Sequence, residues 1–109
     1  MRIELLTRRP ELTVYAAGDA DAEISGVVIG DLLSFIMSEA NTGDLWITVQ
    51  THLNVAAVAV LKEIPLILLP SARVPSDDLV KKCLSEKICL CSSDLSSYEL
   101  SLILGEAGL

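Results

Sequence analysis

Positive charge is scarce in this chain: Lys and Arg number 8 against 15 Asp and Glu, a formal net charge of -7, with a pI near 4.5. A nucleic-acid surface needs clustered basic side chains to displace phosphate counterions, so no nucleic-acid partner is expected. Long hydrophobic runs are missing too. The apolar stretches at 55–61 and 66–69 fall far short of the roughly 20 residues that cross hydrocarbon, and no membrane partner is expected. The opening residues carry Glu4, Arg8 and Arg9 where a signal peptide needs an uninterrupted apolar stretch. A cytoplasmic location is the expectation. Cysteine is limited to 3 residues, an odd count that suits reduced thiols better than a disulfide framework.

Several chemical signatures are also absent. No G-x-x-x-x-G-K-[ST] loop and no G-x-G-x-x-G occurs, so neither phosphate-cradling fingerprint is present. G-x-S-x-G is missing, and His52 is the only histidine, which leaves hydrolytic catalysis with little support. Cys89 and Cys91, two apart on a strand, share a face, but only Cys83 and the distant His52 remain to complete the usual four metal ligands. Buried apolar cysteines are the favoured reading, Cys83 included. No metal and no cofactor is expected.

What the chain does have is apolar content, 51% of 109 residues with a mean hydropathy of +0.53. Residues 1–109 have room for one core, hence a single domain. That much apolar surface in so small a domain is expected to meet a partner in part.

The pattern reads as an α/β domain, three-layered, with a mostly parallel sheet. A short helix over 3–8 is stopped by Pro10, and 12–16 alternates as a half-buried strand does. Gly18, Asp19 and Asp21 supply turn chemistry. A second strand over 24–29 leads to Asp31, placed to cap a helix over 32–40 whose Leu32, Leu33, Ile36, Met37 and Ala40 share a face. Strand and helix then alternate: 45–49, 55–62, 66–69, 76–86, 88–91 and 95–104, as parallel sheets do. Leu66-Ile67-Leu68-Leu69 has no polar face, which predicts a mid-sheet strand covered on both sides. In the helix over 76–86, Ser76 is the expected N-cap, Leu79, Val80, Cys83 and Leu84 form the apolar stripe, and Asp77/Lys81 and Asp78/Lys82 are pairs four apart. The last helix places Leu95, Tyr98 and Leu102 on one face. No linker, low-complexity tract or repeat interrupts the series.

In open parallel sheets ligands gather beyond the carboxyl ends of the strands. The loops there read Gly30-Asp31, Gln50 to Asn54, Ser71-Ala72-Arg73 and Ser92-Ser93-Asp94, all polar. Thr48, Gln50, Thr51, His52 and Asn54 are the richest cluster and could read a small polar ligand by hydrogen bonds. The alternative is structural, with Asn54 or Thr51 capping the helix over 55–62 and His52 bonding a loop carbonyl. Asp31 could orient a ligand or cap its helix, and the cap is favoured. Arg73 is the candidate for an anionic ligand, against a solvated loop charge. Ser92 and Asp94 complete the candidate set.

The run 24–33, continuing through Thr42-Gly43-Asp44-Leu45-Trp46-Ile47-Thr48-Val49-Gln50-Thr51-His52-Leu53-Asn54 and Val58-Ala59-Val60-Leu61, resembles the DRTGG domain family across nearly the whole chain. It is most similar to the small stand-alone members, whose fold resembles the N-terminal domains of HPr kinase/phosphorylase and of Mur ligases. Of the motif that names the family, Gly30 and Asp31 fit within Gly30-Asp31-Leu32-Leu33, and the Thr51-His52-Leu53-Asn54 match is more specific. The family's attachment to CBS domains, phosphotransacetylases and cobyrinate-synthase-like domains implies a regulatory or oligomerising role. Kinase activity is not expected, since the P-loop of HPr kinase lies in a separate catalytic domain.

Three functions follow as expectations. The first is a non-catalytic regulatory module sensing a small ligand, a nucleotide or another small anion, at the strand-end loops. The second is an interaction module, a homodimer or one bound to a metabolic enzyme or regulatory protein, motivated by the excess apolar content and the nearly all-apolar helix at 55–61. The third, with the least support, is an enzyme using His52 as acid or base with Thr51, Gln50 or Asp31 nearby.

Overall fold

A strand such as Leu66–Leu69 has apolar side chains on both sides of its pleat, so it is stable only where helices cover both faces of the sheet. The computed structural model, which describes residues 1–109, places it there. Five strands, β1 (Thr13–Ala16), β2 (Gly26–Ile29), β3 (Asp44–Ile47), β4 (Leu66–Leu69) and β5 (Cys89–Ser92), form one sheet in the order β1-β5-β4-β3-β2. β2 to β5 are parallel, and β1 joins β5 antiparallel at the edge. β4 is the central strand. The helices are α1 (Ile3–Thr7), α2 (Leu33–Glu39), α3 (Asn54–Leu61), α4 (Asp77–Glu86) and α5 (Ser97–Glu106).

The chain steps from β2 to β3, β4 and β5 always in the same direction. Because parallel crossovers are right-handed, α2, α3 and α4 all fall on one face. There Ile36, Val55, Ala56, Ala59, Leu79 and Cys83 pack on Val28, Trp46, Ile67, Leu69 and Leu90. The alternate residues Leu45, Ile47, Leu66, Leu68, Cys89 and Cys91 point to the other face, where Ile3 and Leu6 of α1 and Leu100 and Leu104 of α5 cover them. The result is three layers. β3, β4 and β5 are buried along their whole length.

Several local expectations need correction. α2 buries Ile36 and Ala40 and lays Leu33 against the core, but Leu32 is 67% exposed and Met37 39%. α2 begins only at Leu33, and Leu32, in extended backbone at the N-cap position, lies outside its helical phase. On α4, Ser76 caps as expected, accepting from the Leu79 amide at 3.1 Å. The apolar stripe there narrows to Leu79 and Cys83, with Val80 half-buried and Leu84 exposed. Neither Asp77–Lys81 nor Asp78–Lys82 closes as an ion pair, and Lys82 instead reaches Glu86 at 3.1 Å. α5 starts at a capping box, with the Ser96 hydroxyl accepting from the Glu99 amide and the Glu99 carboxylate accepting from the Ser96 amide. That phase buries Leu100 and Leu104 and leaves Tyr98 and Leu102 outside.

The cysteines are structural. All three are free and buried, and the Cys89 and Cys91 sulfurs lie 3.6 Å apart on one face of β5. Burial pushes the Cys83 thiol up to about 11 from 9.0, with Cys89 adding to the shift. The sulfur contact with Cys91, then burial, pushes Cys89 up as well.

Gly18 precedes the crossing from β1 to β2 with φ +68°, and a Cβ there would stand 2.6 Å from the backbone nitrogen of Cys89. Gly18→Ala should therefore lower unfolding free energy by more than about 1 kcal/mol in urea titration. Gly105→Ala, in α5 with nothing within 4 Å of the added carbon, should raise it by up to about 1 kcal/mol. Titration of stability with pH gives a second test. The unfolded Cys83 thiol ionises at its ordinary value of 9.0 while the folded one holds its proton to about 11, so between those values the unfolded state binds fewer protons. The contribution is complete below pH 9 and is lost as pH rises toward 11. Native protein at neutral pH should resist a thiol reagent that labels all three cysteines once the chain unfolds.

Candidate functional site

The four loops at the carboxyl ends of the parallel strands are joined side by side by hydrogen bonds. Asp31, after β2, reaches across to the end of β3, where its carboxylate accepts from the Thr48 hydroxyl at 3.0 Å and from the Val49 amide at 2.8 Å. The Gln50 side-chain amide donates back to the Asp31 carbonyl, and the Gln50 backbone amide donates to the Thr48 hydroxyl at 3.3 Å. Below this set the Trp46 indole donates to the Gly30 carbonyl at 2.8 Å. The β3 loop is joined to the β4 loop through the Ser76 amide and Thr51 carbonyl at 3.0 Å. The β4 loop is joined to the β5 loop by the Ser71 amide to the Leu95 carbonyl and the Ala72 amide to the Ser93 carbonyl, each at 2.8 Å. Ser71 and Ala72 take left-handed backbone, φ 57° and 58°, to make that turn. Together the loops form a polar shelf.

Asp31 is thus a cross-strand latch and not a helix cap. Leu32 is the residue at the N-cap position of α2, and no side chain caps that helix. Thr48 is 1% exposed, and its hydroxyl is committed within the latch. The capping roles expected of Asn54 and Thr51 are not seen either: Leu53 occupies the N-cap position of α3 and no side chain caps it. The first turn closes instead through the Val55 amide to the His52 carbonyl and the Ala56 amide to the Leu53 carbonyl. The His52 side chain bonds no loop carbonyl. It projects from the shelf with Asn54, Arg73 and Asp94, all exposed, and Arg73 and Asp94 form no ion pair. Ser92 does not belong to the loop. It is the last residue of β5, 7% exposed and in register with Thr13 of β1. Ser93, one residue on, accepts from the Leu95 amide at 3.1 Å.

The structure therefore brings Asp31, Thr48 and Gln50 into one cluster, sets Thr51 beside it, and leaves His52, Asn54, Arg73 and Asp94 as the groups free to meet a ligand. No buried side-chain nitrogen or oxygen lacks a partner, so the latch is complete without a ligand. No group of three or more His, Cys, Asp or Glu side chains is arranged to hold a metal.

A cleft lies at the opposite end of the sheet, where sequence reasoning placed nothing. It has a volume of about 320 Å³ and lies between the ends of α3 and α4 and the loop that leaves β1. Ala59, Val60, Ile64 and Ile88 form apolar walls, and Asp19, Glu63, Glu86 and Lys87 bring the charge. Much of that charge is engaged, since Glu86 pairs with Lys82 and Glu63 accepts from the Thr42 hydroxyl at 3.1 Å.

No protein-family model matches the chain, and no curated protein matches it. Among solved structures, the fold is similar to the CBS and DRTGG domains of the regulatory region of a Clostridium perfringens pyrophosphatase, determined in complex with its activator, diadenosine tetraphosphate. The TM-score is 0.65 at 12% sequence identity, over 85% of this chain and 41% of that one. At that identity the likeness is one of fold: a five-stranded, mostly parallel α/β domain with a DRTGG-like fold. This chain spans about two fifths of the length of that structure. No helix here is long and apolar enough to cross a membrane.

The latch is measurable by a double-mutant cycle. Asp31→Ala leaves the buried Thr48 hydroxyl and the Val49 amide without their acceptor and should cost about 1–3 kcal/mol. Asp31→Asn, which keeps one carbonyl oxygen in place, should cost less. Asp31→Ala and Thr48→Val should couple by at least about 0.5 kcal/mol in chemical denaturation, whereas a cap acting only on α2 would couple to Thr48 by nothing.

Proposed function

We propose that the chain is a non-catalytic regulatory domain that senses a small ligand, a nucleotide or another small anion, on the shelf at the carboxyl ends of its strands. The observation that carries this reading is the joining of all four strand-end loops into one polar surface, at the position where parallel α/β sheets collect ligands. A ligand touching that surface would bear on every crossover at once. The exposed side chains of Arg73 and His52 supply cationic and hydrogen-bonding character there. The fold likeness to a regulatory region solved with a dinucleotide polyphosphate supports the same reading.

Catalysis by His52 has less support. Its side chain is exposed and hydrogen-bonds neither Thr51 nor Asp31, and the Asp31 carboxylate is directed at Thr48 and Val49. A general base has to lie within hydrogen-bond reach of the proton it takes.

A thermal-shift panel of nucleotides, dinucleotide polyphosphates and phosphorylated metabolites tests the proposal. A ligand at about 100 times its Kd should stabilise the domain by about 2.7 kcal/mol, which for a chain of this size is a rise in Tm of roughly 10 °C or more. The rise should be lost in Arg73→Ala and reduced in His52→Ala. No shift with any member of the panel, or a shift unchanged in both variants, would count against a shelf site.

A further inference from the structure

An eight-residue helix whose sequence is Asn-Val-Ala-Ala-Val-Ala-Val-Leu belongs inside a protein, because a helix apolar all round has no side suited to water. α3 is covered on one side only. Val55, Ala56, Val58 and Ala59 are buried against the sheet. On the opposite side Leu53, Ala57, Val60 and Leu61, spaced i, i+4, i+7 and i+8 and so on one face, lie open. Leu53 is 44% exposed, Val60 40% and Leu61 69%, and Ala57 is exposed between them. α3 is the middle helix of its layer, flanked by α2 and α4, so this stripe crosses the centre of that face.

We propose that this outward face of α3 is where a second copy of the chain docks, the two α3 helices packing antiparallel about a two-fold axis. The distribution of charge around the stripe selects that occupant. α3 carries no ionisable side chain, so two copies of a chain with net charge -7 meet there without like charges in the contact. α3 and α4 both return from parallel strands and run the same way, with their starts tied through Ser76 and Thr51. The acids Asp77 and Asp78 stand at the starting end, exposed and without an ion pair. From the middle of α4 toward the other end Lys62, Lys81, Lys82 and Lys87 outnumber Glu39 of α2, Glu63 and Glu86, and of these only Lys82 and Glu86 form an ion pair. An antiparallel two-fold sets the acidic end of each copy against the basic end of the other. Such self-complementarity is what a symmetric interface requires of a single patch. The small side chain of Ala57 at its centre lets the helix axes approach closely.

The test is sedimentation velocity of the full chain from low to high micromolar concentration, with Leu61→Asp and Ala57→Glu beside it. Both positions are exposed, and far-UV circular dichroism with cooperative melting confirms that each variant is folded. The wild type should sediment as a concentration-dependent dimer. Each variant should weaken the dimer at least about tenfold, since it buries an unpaired charge within the contact, Ala57→Glu at its centre and Leu61→Asp toward its end. Lys at both Asp77 and Asp78 (D77K/D78K) should weaken it too, and added salt should weaken the wild type. A wild-type monomer across the range, or a Leu61→Asp or Ala57→Glu variant that dimerises as the wild type does, would overturn the proposal. Dimerisation undiminished in D77K/D78K would overturn the antiparallel arrangement.

Discussion

The burial of β3, β4 and β5 on both faces is the constraint on which the rest depends. Twelve strand positions, four in each of these strands, are buried, and five helices of 5 to 10 residues must cover them. Helices this short gain little from their own hydrogen bonds and hold mainly through the apolar face they set on the sheet. Polar groups are pushed to the two ends of the strands. At the carboxyl end they build the shelf, where Asp31 joins β2 to β3 and the Ser71 and Ala72 amides join β4 to β5. At the other end they line the cleft between α3 and α4.

The same constraint accounts for α3. It crosses from β3 to β4, the two most interior strands of the parallel set, and must be apolar on the side facing them. Its remaining positions could have been charged without disturbing the core, as Asp77, Asp78 and Lys81 are on α4. They are Leu, Ala, Val and Leu instead. Internal packing explains the inner face of this helix and has no bearing on the outer one, so the outer face points to an association surface that meets the shelf only at Leu53.

The sequence pattern was most informative where periodicity and capping are local. β4 declared itself by having no polar side, and α4 by Ser76 at its start; the strand and the cap stand as read, while the apolar stripe of α4 reduces to Leu79 and Cys83 with Val80 half-buried. Asp31 was misread because a carboxylate before an apolar helix looks the same whether it caps that helix or reaches another strand, and its partner Thr48 lies 17 residues away. α5 was placed in the wrong phase because Leu100, Leu102, Ile103 and Leu104 offer apolar side chains in several directions. The Ser96 to Glu99 capping box was the signal that would have set it. The cleft left no trace in the sequence, since it is formed by residues from three separated stretches that meet only when the sheet is assembled.

The shelf and the cleft lie at opposite ends of the sheet, so a ligand bound at one can be told from a ligand bound at the other. The most direct measurement is an amide chemical-shift titration of the isotope-labelled chain with a dinucleotide polyphosphate. With a shelf site, the changes should concentrate at Asp31, at Gln50 through Asn54 and at Ala72 and Arg73. Changes confined to Ala22, Glu63, Ile64 and Lys87, at the opposite end of the sheet, would contradict it.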